Sequence, residues 1–252
     1  MLTEARHSII RNYVDRHGLC RIAELCELTS TSESTIRRDL IQMEDSGVIK
    51  RIHGGAQSIQ KFSQDISQRV RFSINHDAKV AVAKYVAEHF VHPGDNIFID
   101  AGTTTYEMIP FLAAVPDLMI VTNGVETALN GLNHGLKTIL IGGTVKTDTH
   151  AVVGQVAIDQ LREMNFNSCF VGVNGIDQAG SLTTPDTEEA AIKRAEIMQS
   201  KHAYVLADAS KFGQRSFAAF ADARDVVVIS NQLNSSQKKA LPAMIKLEEV
   251  KG

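Results

Sequence analysis

The chain has 252 residues, 44% hydrophobic and 22% charged, with a formal net charge of -3 at pH 7, which suits one small domain plus one of ordinary size. That balance excludes a disordered chain and a nucleic-acid binder relying on a broad basic field, and the three cysteines, Cys20, Cys26 and Cys169, lack disulfide-framework or metal spacing. No run approaches the ~20 apolar residues that span a bilayer, and Glu4, Arg6 and His7 interrupt any apolar leader, so a cytoplasmic protein without membrane contact is expected.

From Thr3 to about His17, Ile9, Ile10, Tyr13 and Val14 recur at helical spacing, with Gly18 as a stop. Ile22, Leu25 and Cys26 mark a second short helix before the polar turn Thr29-Ser30-Thr31. A third helix opens at Ser32, expected to accept a bond from an orphan helix N–H, and carries Ile36, Leu40 and Met43 on one buried stripe. Ser34, Thr35, Arg37 and Arg38 then face outward, and Arg forks match both guanine edges and phosphate oxygens. Val48 to Ile52 alternates as two small strands, whose Lys50, Arg51 and His53 supply a basic wing. Gly54-Gly55 would allow close backbone approach to another chain or to DNA phosphates. The order helix, helix, reading helix, wing predicts a winged helix-turn-helix over residues 1–57, with Ser32, Ser34, Thr35, Arg37, Arg38, Lys50, Arg51 and His53 on DNA. Through Ala56, acidic and basic side chains are equal in number, so the fold must gather the basic ones, with Glu24, Glu27, Glu44 and Asp45 on the far side. Modest non-specific affinity follows, favouring two or more reading heads.

Residues 58–75 are polar and read as a linker. A helix from about Asp77 carries Val80, Val82, Ala83, Val86, Ala87 and Phe90 up to His92-Pro93-Gly94 and opens a second domain, residues 76–252. Apolar runs follow at Asn96 to Ile99, Leu118 to Val121, Lys137 to Ile141, Cys169 to Val173, Ala203 to Leu206 and Val226 to Ile229. Helices begin between them near Thr104, Val125, Gly154, Asp186 and Ser235. This predicts an α/β domain with a mostly parallel, helix-covered sheet.

In such sheets ligands sit beyond the carboxyl ends of strands. The residues there are Asp100, Gly102, Thr103, Thr104 and Thr105, then Asn123 and Gly124, Gly142 and Gly143, Asn174 and Gly175, and Asp208 to Lys211. A hydroxyl-rich turn entering a helix offers N–H donors and a favourable dipole to an anion, and Lys211 adds charge. Asp100, Asn123 and Asn174 can read sugar hydroxyls. Each turn alone is also explained by ordinary loop chemistry, a structural turn being favoured for Gly142-Gly143. There is no dinucleotide fingerprint or Walker loop, and the nine histidines lack paired ligand spacing, so no metal is implied.

With these residues in view, the chain resembles the DeoR family of bacterial transcriptional regulators over nearly its whole length. The resemblance runs from Thr35-Ile36-Arg37-Arg38-Asp39-Leu40 through His53-Gly54-Gly55-Ala56 to the later domain. Within that family it is most similar to the fructose-operon branch of Gram-positive bacteria. The residues carrying this are Met1-Leu2-Thr3-Glu4 with Arg6-His7, Ser32 to Thr35, Asp100 to Pro110, and Leu182 to Ala190. The resemblance implies a homodimeric or homotetrameric repressor bound to double-stranded operator DNA, without a cofactor. Its C-terminal domain would resemble ribose 5-phosphate isomerase and bind a phosphorylated sugar that releases the DNA, fructose 1-phosphate or alternatively fructose 1,6-bisphosphate. Regulation of another sugar pathway by another sugar phosphate stays open.

An isomerase-like enzyme is the competing reading. Related isomerases carry a lysine and a glycine run where this chain has Leu182-Thr183-Thr184-Pro185. Glu188 and Glu189 are expected to cap the helix from Asp186 and face ligand or solvent, and no residue is assigned a catalytic role. Asp208 to Lys211 does match the enzyme pattern, which reads as retained binding with lost chemistry. A third reading, an architectural DNA binder, would not need the anion-binding residues gathered on one sheet edge.

Overall fold

The computed structural model describes residues 3–17, 19–46, 48–52, 54–58, 72, 74–242 and 244–250. Gly18, His53 and most of the stretch read as a linker therefore lie outside the described residues. The chain divides into two compact units, Met1–Ile66 and Ser67–Gly252.

The first unit runs α1 (Thr3–His17), β1 (Leu19–Arg21), α2 (Ile22–Thr29), α3 (Glu33–Asp45), β2 (Ile49–Ile52) and β3 (Gly55–Ser58). Its core takes Ile10 and Val14 from α1, Ile22 and Leu25 from α2, and Ile36, Leu40 and Met43 from α3. Those are the positions that helical spacing puts on one face of each helix. The strands form an antiparallel sheet in the order β1-β3-β2. The sequence suggests only two of them, because Leu19-Cys20-Arg21 is too short to show a period. The expected approach of Gly54-Gly55 to an outside backbone turns out to be internal at Gly55. A Cβ there would stand 2.1 Å from the Cys20 carbonyl oxygen, so glycine is what lets β3 close on β1.

The second unit is built on a seven-stranded sheet in which every neighbouring pair is parallel. Its strands are β4 (Asn96–Ile99), β5 (Met119–Thr122), β6 (Lys137–Leu140), β9 (Phe166–Gly172), β12 (Ser200–Ala207), β14 (Val227–Asn231) and β15 (Lys246–Val250). Across the sheet the order is β15-β14-β12-β9-β4-β5-β6. One face packs Ile97, Ile99, Ile120 and Phe170 against Val82, Ala83 and Val86 of α4 (His76–Phe90). The other packs Phe98, Val121, Cys169 and Val205 against Ala157 and Leu161 of α8 (Gln155–Arg162) and Ile192 of α9 (Thr187–Met198). Covering both faces is why the central strands read as unbroken apolar runs.

Three short helices complete this unit: α5 (Thr103–Tyr106), α6 (Ile109–Leu112) and α7 (Val125–Asn133), with α10 (Ser235–Ala240) near the end. The sequence misses β15, whose Lys-Leu-Glu-Glu-Val is mostly charged. Also missed are two antiparallel additions, the hairpin β7 (Thr144–Val145) with β8 (Val152–Val153) and a sheet of β10 (Gly175–Ile176), β11 (Ser181–Thr184) and β13 (Ala218–Asp222).

Candidate DNA-reading surface and effector site

On α3, Ile36, Asp39, Leu40 and Met43 face inward while Ser34, Arg37 and Arg38 are exposed and Thr35 is half-buried. Ser32 occupies the N-cap position, but its hydroxyl does not cap the backbone. It lies 3.1 Å from the Ser34 hydroxyl and 3.0 Å from that of Thr35, so three hydroxyls cluster at the helix start. The Arg37 guanidinium donates to Glu33 Oε1 from Nε at 3.0 Å and Nη2 at 2.5 Å. Exposed pairs one turn apart stabilise by only about 0.3–0.5 kcal/mol, so the Arg37–Glu33 pair can be given up at small cost. Arg38 and Lys50 are exposed and make no ion pair among the described residues.

The expectation that Glu44 lies on the far side from the basic residues is wrong. Its Oε1 accepts from the Arg51 backbone N–H at 2.8 Å, and its Oε2 is 3.8 Å from the Arg51 guanidinium. The carboxylate thus anchors β2 to the last turn of α3, and Arg51 enters any DNA contact partly neutralised. Arg38→Ala should weaken binding to a preferred duplex by about 1–3 kcal/mol if the fork meets a base edge, and weaken all sequences alike if it meets phosphate. Titration of matched and mismatched duplexes distinguishes the two.

In the second unit the chain leaves β4 for β5 and β6 on one side, then crosses to β9, β12, β14 and β15 on the other. The strand order therefore reverses between β4 and β9, where an open parallel sheet forms a crevice. Asp100 stands at that edge, directly after β4, and is 2% exposed. Its Oδ2 accepts from the Gly172 N–H at 2.8 Å and from the Lys193 ammonium, so the end of β4 is tied to the end of β9 and to α9. A Cβ on Gly172 would lie 3.2 Å from that oxygen.

The Thr103-Thr104-Thr105 turn forms only the single helical turn α5, not the longer helix its sequence suggests. What such a turn offers is its orphan N–H groups more than a macrodipole. The Thr105 hydroxyl is committed to the Asp100 carbonyl at 2.7 Å. The hydroxyls of Thr103 and Thr104 make no hydrogen bond among the described residues. Asn123 is a strut. Its Oδ1 accepts from the Ala101 N–H at 2.8 Å, while Gly124 lets this loop pack on Ala101, which a Cβ would meet at 3.0 Å.

Farther along the same edge, Thr184 donates to Asn174 Oδ1 at 3.1 Å and lies 3.3 Å from Glu189 Oε2, and Thr149 donates to Glu189 Oε1 at 2.8 Å. Glu188, grouped with the site by sequence, is exposed. Its neighbour Glu189 turns inward, and the α9 cap is Asp186, which accepts from both their N–H groups. Gly142 donates to Gln160 at 2.8 Å, and Gly143, at φ 151°, packs where a Cβ would meet the Val153 carbonyl at 2.6 Å. Both make a structural turn. Gly175 likewise serves packing, against Gln214.

Lys211 closes a 3-10 turn, Ala209–Lys211, and makes no ion pair among the described residues. Burial pushes the Asp208 carboxyl up, but Lys211, Ser210 and Asn75 outweigh it and hold the group below the usual carboxylate range. Beside it a cleft of about 420 Å³ opens between the start of α4 and the ends of β12 and β14, lined by Asn75 to Ala78, Asp208, Ala209 and Asn231.

Sequence reasoning takes Glu188 from α9 but misses the inward-facing stripe of the same helix. Glu189, Lys193 and Glu196 are all under 8% exposed, and Lys193 faces three carboxyls, those of Asp100, Glu196 and Glu189. Burial would lower the Lys193 ammonium, yet those carboxyls raise it above its ordinary value. Glu196 has neither oxygen hydrogen-bonded; burial, then Asp100, push its carboxyl well above the usual range. The available signal was the spacing 189, 193, 196, one stripe on one helix face.

Models of known families match both units: a DeoR-like helix-turn-helix domain over residues 6–62 and a DeoR C-terminal sensor domain over residues 74–232. The chain is 38% identical over 251 residues to the helix-turn-helix transcriptional regulator FruR of Bacillus subtilis, covering 98% of this chain and all of that protein. It is 32% identical to the glycerol-3-phosphate regulon repressor of Escherichia coli, over 84% of this chain and 83% of the other. Among solved structures it is similar to ribose 5-phosphate isomerase A of Methanocaldococcus jannaschii, at 17% identity and a TM-score of 0.41 over 54% of each chain. Among the described residues no helix is long and apolar enough to cross a membrane. The curated relatives carry the names of transcriptional regulators and repressors. With a DNA-reading module and a sensor module in order, and a relative matched from end to end, the chain belongs to the DeoR family of helix-turn-helix transcriptional regulators.

Proposed function

We propose that the protein represses a sugar-utilisation operon, that of fructose, and leaves its operator when a phosphorylated sugar, fructose 1-phosphate, fills the β4–β9 crevice. The observation that carries this is the Asp100–Thr105 turn at the point where strand order reverses. Unused Thr103 and Thr104 hydroxyls and orphan N–H groups there suit a phosphate, and Asp100 and Asn174 beside them suit sugar hydroxyls. Lys211 supplies a cation on the same edge. Asn123, Gly124 and Gly175 shape the walls, and Glu188, Gly142 and Gly143 make no contact in this reading. The fructose assignment draws on the resemblance of the Asp100–Pro110 and Leu182–Ala190 segments and on the relative named FruR.

The working unit is a cytoplasmic homodimer or homotetramer, with residues 1–57 as reading head, 58–75 as linker and 76–252 as sensor. Sugar phosphate favours one arrangement of the heads over another, and differential affinity for the two states of about 1–3 kcal/mol is what such coupling usually supplies. The test retains genomic fragments on immobilised protein and challenges them with fructose 1-phosphate, fructose 1,6-bisphosphate, fructose, inorganic phosphate and other sugar phosphates. Selective release by fructose 1-phosphate supports the whole reading. Release by a different sugar phosphate moves the pathway, and no release by any removes the effector. Thr104→Val and Lys211→Ala should each retain fragments as the wild type does yet lose at least tenfold in effector sensitivity; an unchanged release curve in both would put the site elsewhere.

A further inference from the structure

Of the four acidic side chains on α3, Glu33, Glu44 and Asp45 are exposed and Asp39 is buried, 3% exposed. Arg6 of α1, itself 8% exposed, grips it with a fork: Nε donates to Oδ2 at 2.6 Å and Nη2 to Oδ1 at 2.9 Å. His7 Nε2 lies 3.1 Å from the same Oδ1. Beside this pair, α1 and α3 put Ile10, Val14, Ile36 and Leu40 into the shared apolar core. Apolar contact is non-directional, whereas two parallel bonds from a planar guanidinium fix both position and angle. A buried ion pair is weak support for stability, since an apolar pair of similar volume often does as well, so its worth lies in what it orients.

We propose that Arg6 is a positioning residue for base reading, its fork on Asp39 setting the roll of α3 about its own axis and hence the aim of Ser34, Thr35, Arg37 and Arg38. Arg38 is the residue next to Asp39, so any roll at one is a roll at the other. At a side-chain radius of about 6 Å, a roll of roughly 20° displaces a tip by about 2 Å. That is enough to break a base-edge hydrogen bond, which fails beyond about 3.2 Å. Phosphate contacts from long flexible side chains absorb the same displacement.

The inference rests on α3 being the reading helix, and the test separates the two. Full-length wild type, Arg6→Lys, the neutral pair Arg6→Met with Asp39→Leu, and Arg38→Ala each select from a random-sequence duplex pool. Affinity for mixed-sequence duplex is measured across salt concentrations. Both clamp variants should keep the wild-type mixed-sequence affinity and salt slope, while preference for the wild-type consensus falls roughly 10- to 100-fold. The neutral pair should melt no lower than wild type, which keeps a loss of selectivity from being a loss of fold. Unchanged enrichment in both clamp variants overturns the proposal, as does a parallel fall in mixed-sequence affinity or a wild type that enriches nothing. Unchanged enrichment in Arg38→Ala, with loss in the clamp variants, instead removes Arg38 from the reading surface and leaves the clamp standing.

Discussion

Lys193→Met is expected to lower the melting midpoint of the sensor by roughly 6–20 °C, the largest effect of any single substitution considered. Lys193 is 6% exposed and its ammonium bonds to Asp100, which is 2% exposed. Removing one partner of a buried pair strands the other charge and costs about 3–5 kcal/mol, and in a domain of this size each kcal/mol moves the midpoint by about 2–4 °C. Asp100 would keep only the Gly172 N–H, while Glu189 would lose the cation it shares with it. The control is Asp100→Asn added to Lys193→Met. Asparagine still accepts from Gly172, the Asp100 charge is no longer stranded, and most of the loss should return. Calorimetry on the whole chain should follow the sensor transition separately, since two compact units need not melt as one. A wild-type midpoint in Lys193→Met would mean that the pair stabilises nothing. A loss that Asp100→Asn cannot recover would mean that what Lys193 meets besides Asp100, including the Phe220 ring whose centroid is 5.8 Å from its ammonium nitrogen, matters more than the pair.

What the sequence tells and what it withholds divide along physical lines. The reading helix is legible because Ile36, Leu40 and Met43 keep strict helical spacing against a polar remainder. The central strands are legible because a helix-covered parallel sheet demands continuous apolar runs. The Asp100 and Thr103–Thr105 turn is legible because strand ends are where such sheets bind. Asp39 is not, since within Arg-Arg-Asp-Leu a carboxylate looks like part of the solvated face, and only the packing of α1 across α3 brings Arg6 to it. Nor is the inward stripe of α9. Glu189, Lys193 and Glu196 are buried there while Met198 is 78% exposed, the inverse of what amphipathic patterning assumes. Lys193 is tolerated inside because a strand end elsewhere in the chain, Asp100, supplies its partner, and Glu189 because Thr149 and Thr184 do, and a one-dimensional pattern carries no trace of those pairings. The strand Lys246–Val250 was hidden for a related reason. At the edge of the sheet, charged residues are favoured, so the apolar signal of a strand is absent.

Glu196→Gln is expected to make the sensor more stable than wild type at neutral pH, by a margin that grows as pH rises. Glu196 is fully buried with neither oxygen hydrogen-bonded, and burial first, then the Asp100 charge, push its carboxyl well above the usual range against the pull of Lys193. The groups facing it are Lys193 and Glu189 on its own helix, Asp100 after β4, and Cys169 of β9, whose thiol burial pushes up to about 12 and so keeps neutral. In the unfolded chain Glu196 ionises near the ordinary value of 4.5, while in the folded chain it holds its proton to much higher pH. The folded state therefore binds the extra proton, and wild-type stability from this group is complete below the unfolded value and lost as pH climbs toward the folded one. The slope is at most about 1.4 kcal/mol per pH unit for one proton. Glutamine copies the shape of the protonated acid and has no proton to lose. Denaturant midpoints for the two proteins should thus nearly coincide at about pH 4 and separate steadily through about pH 7, with other titrations cancelling in the difference. Parallel stability curves across that window would mean that Glu196 is ionised when folded. Lys193 would then face one more carboxylate beside Asp100 and Glu189, and its hold on Asp100, and through Asp100 on the Thr103–Thr105 turn, would be shared more widely.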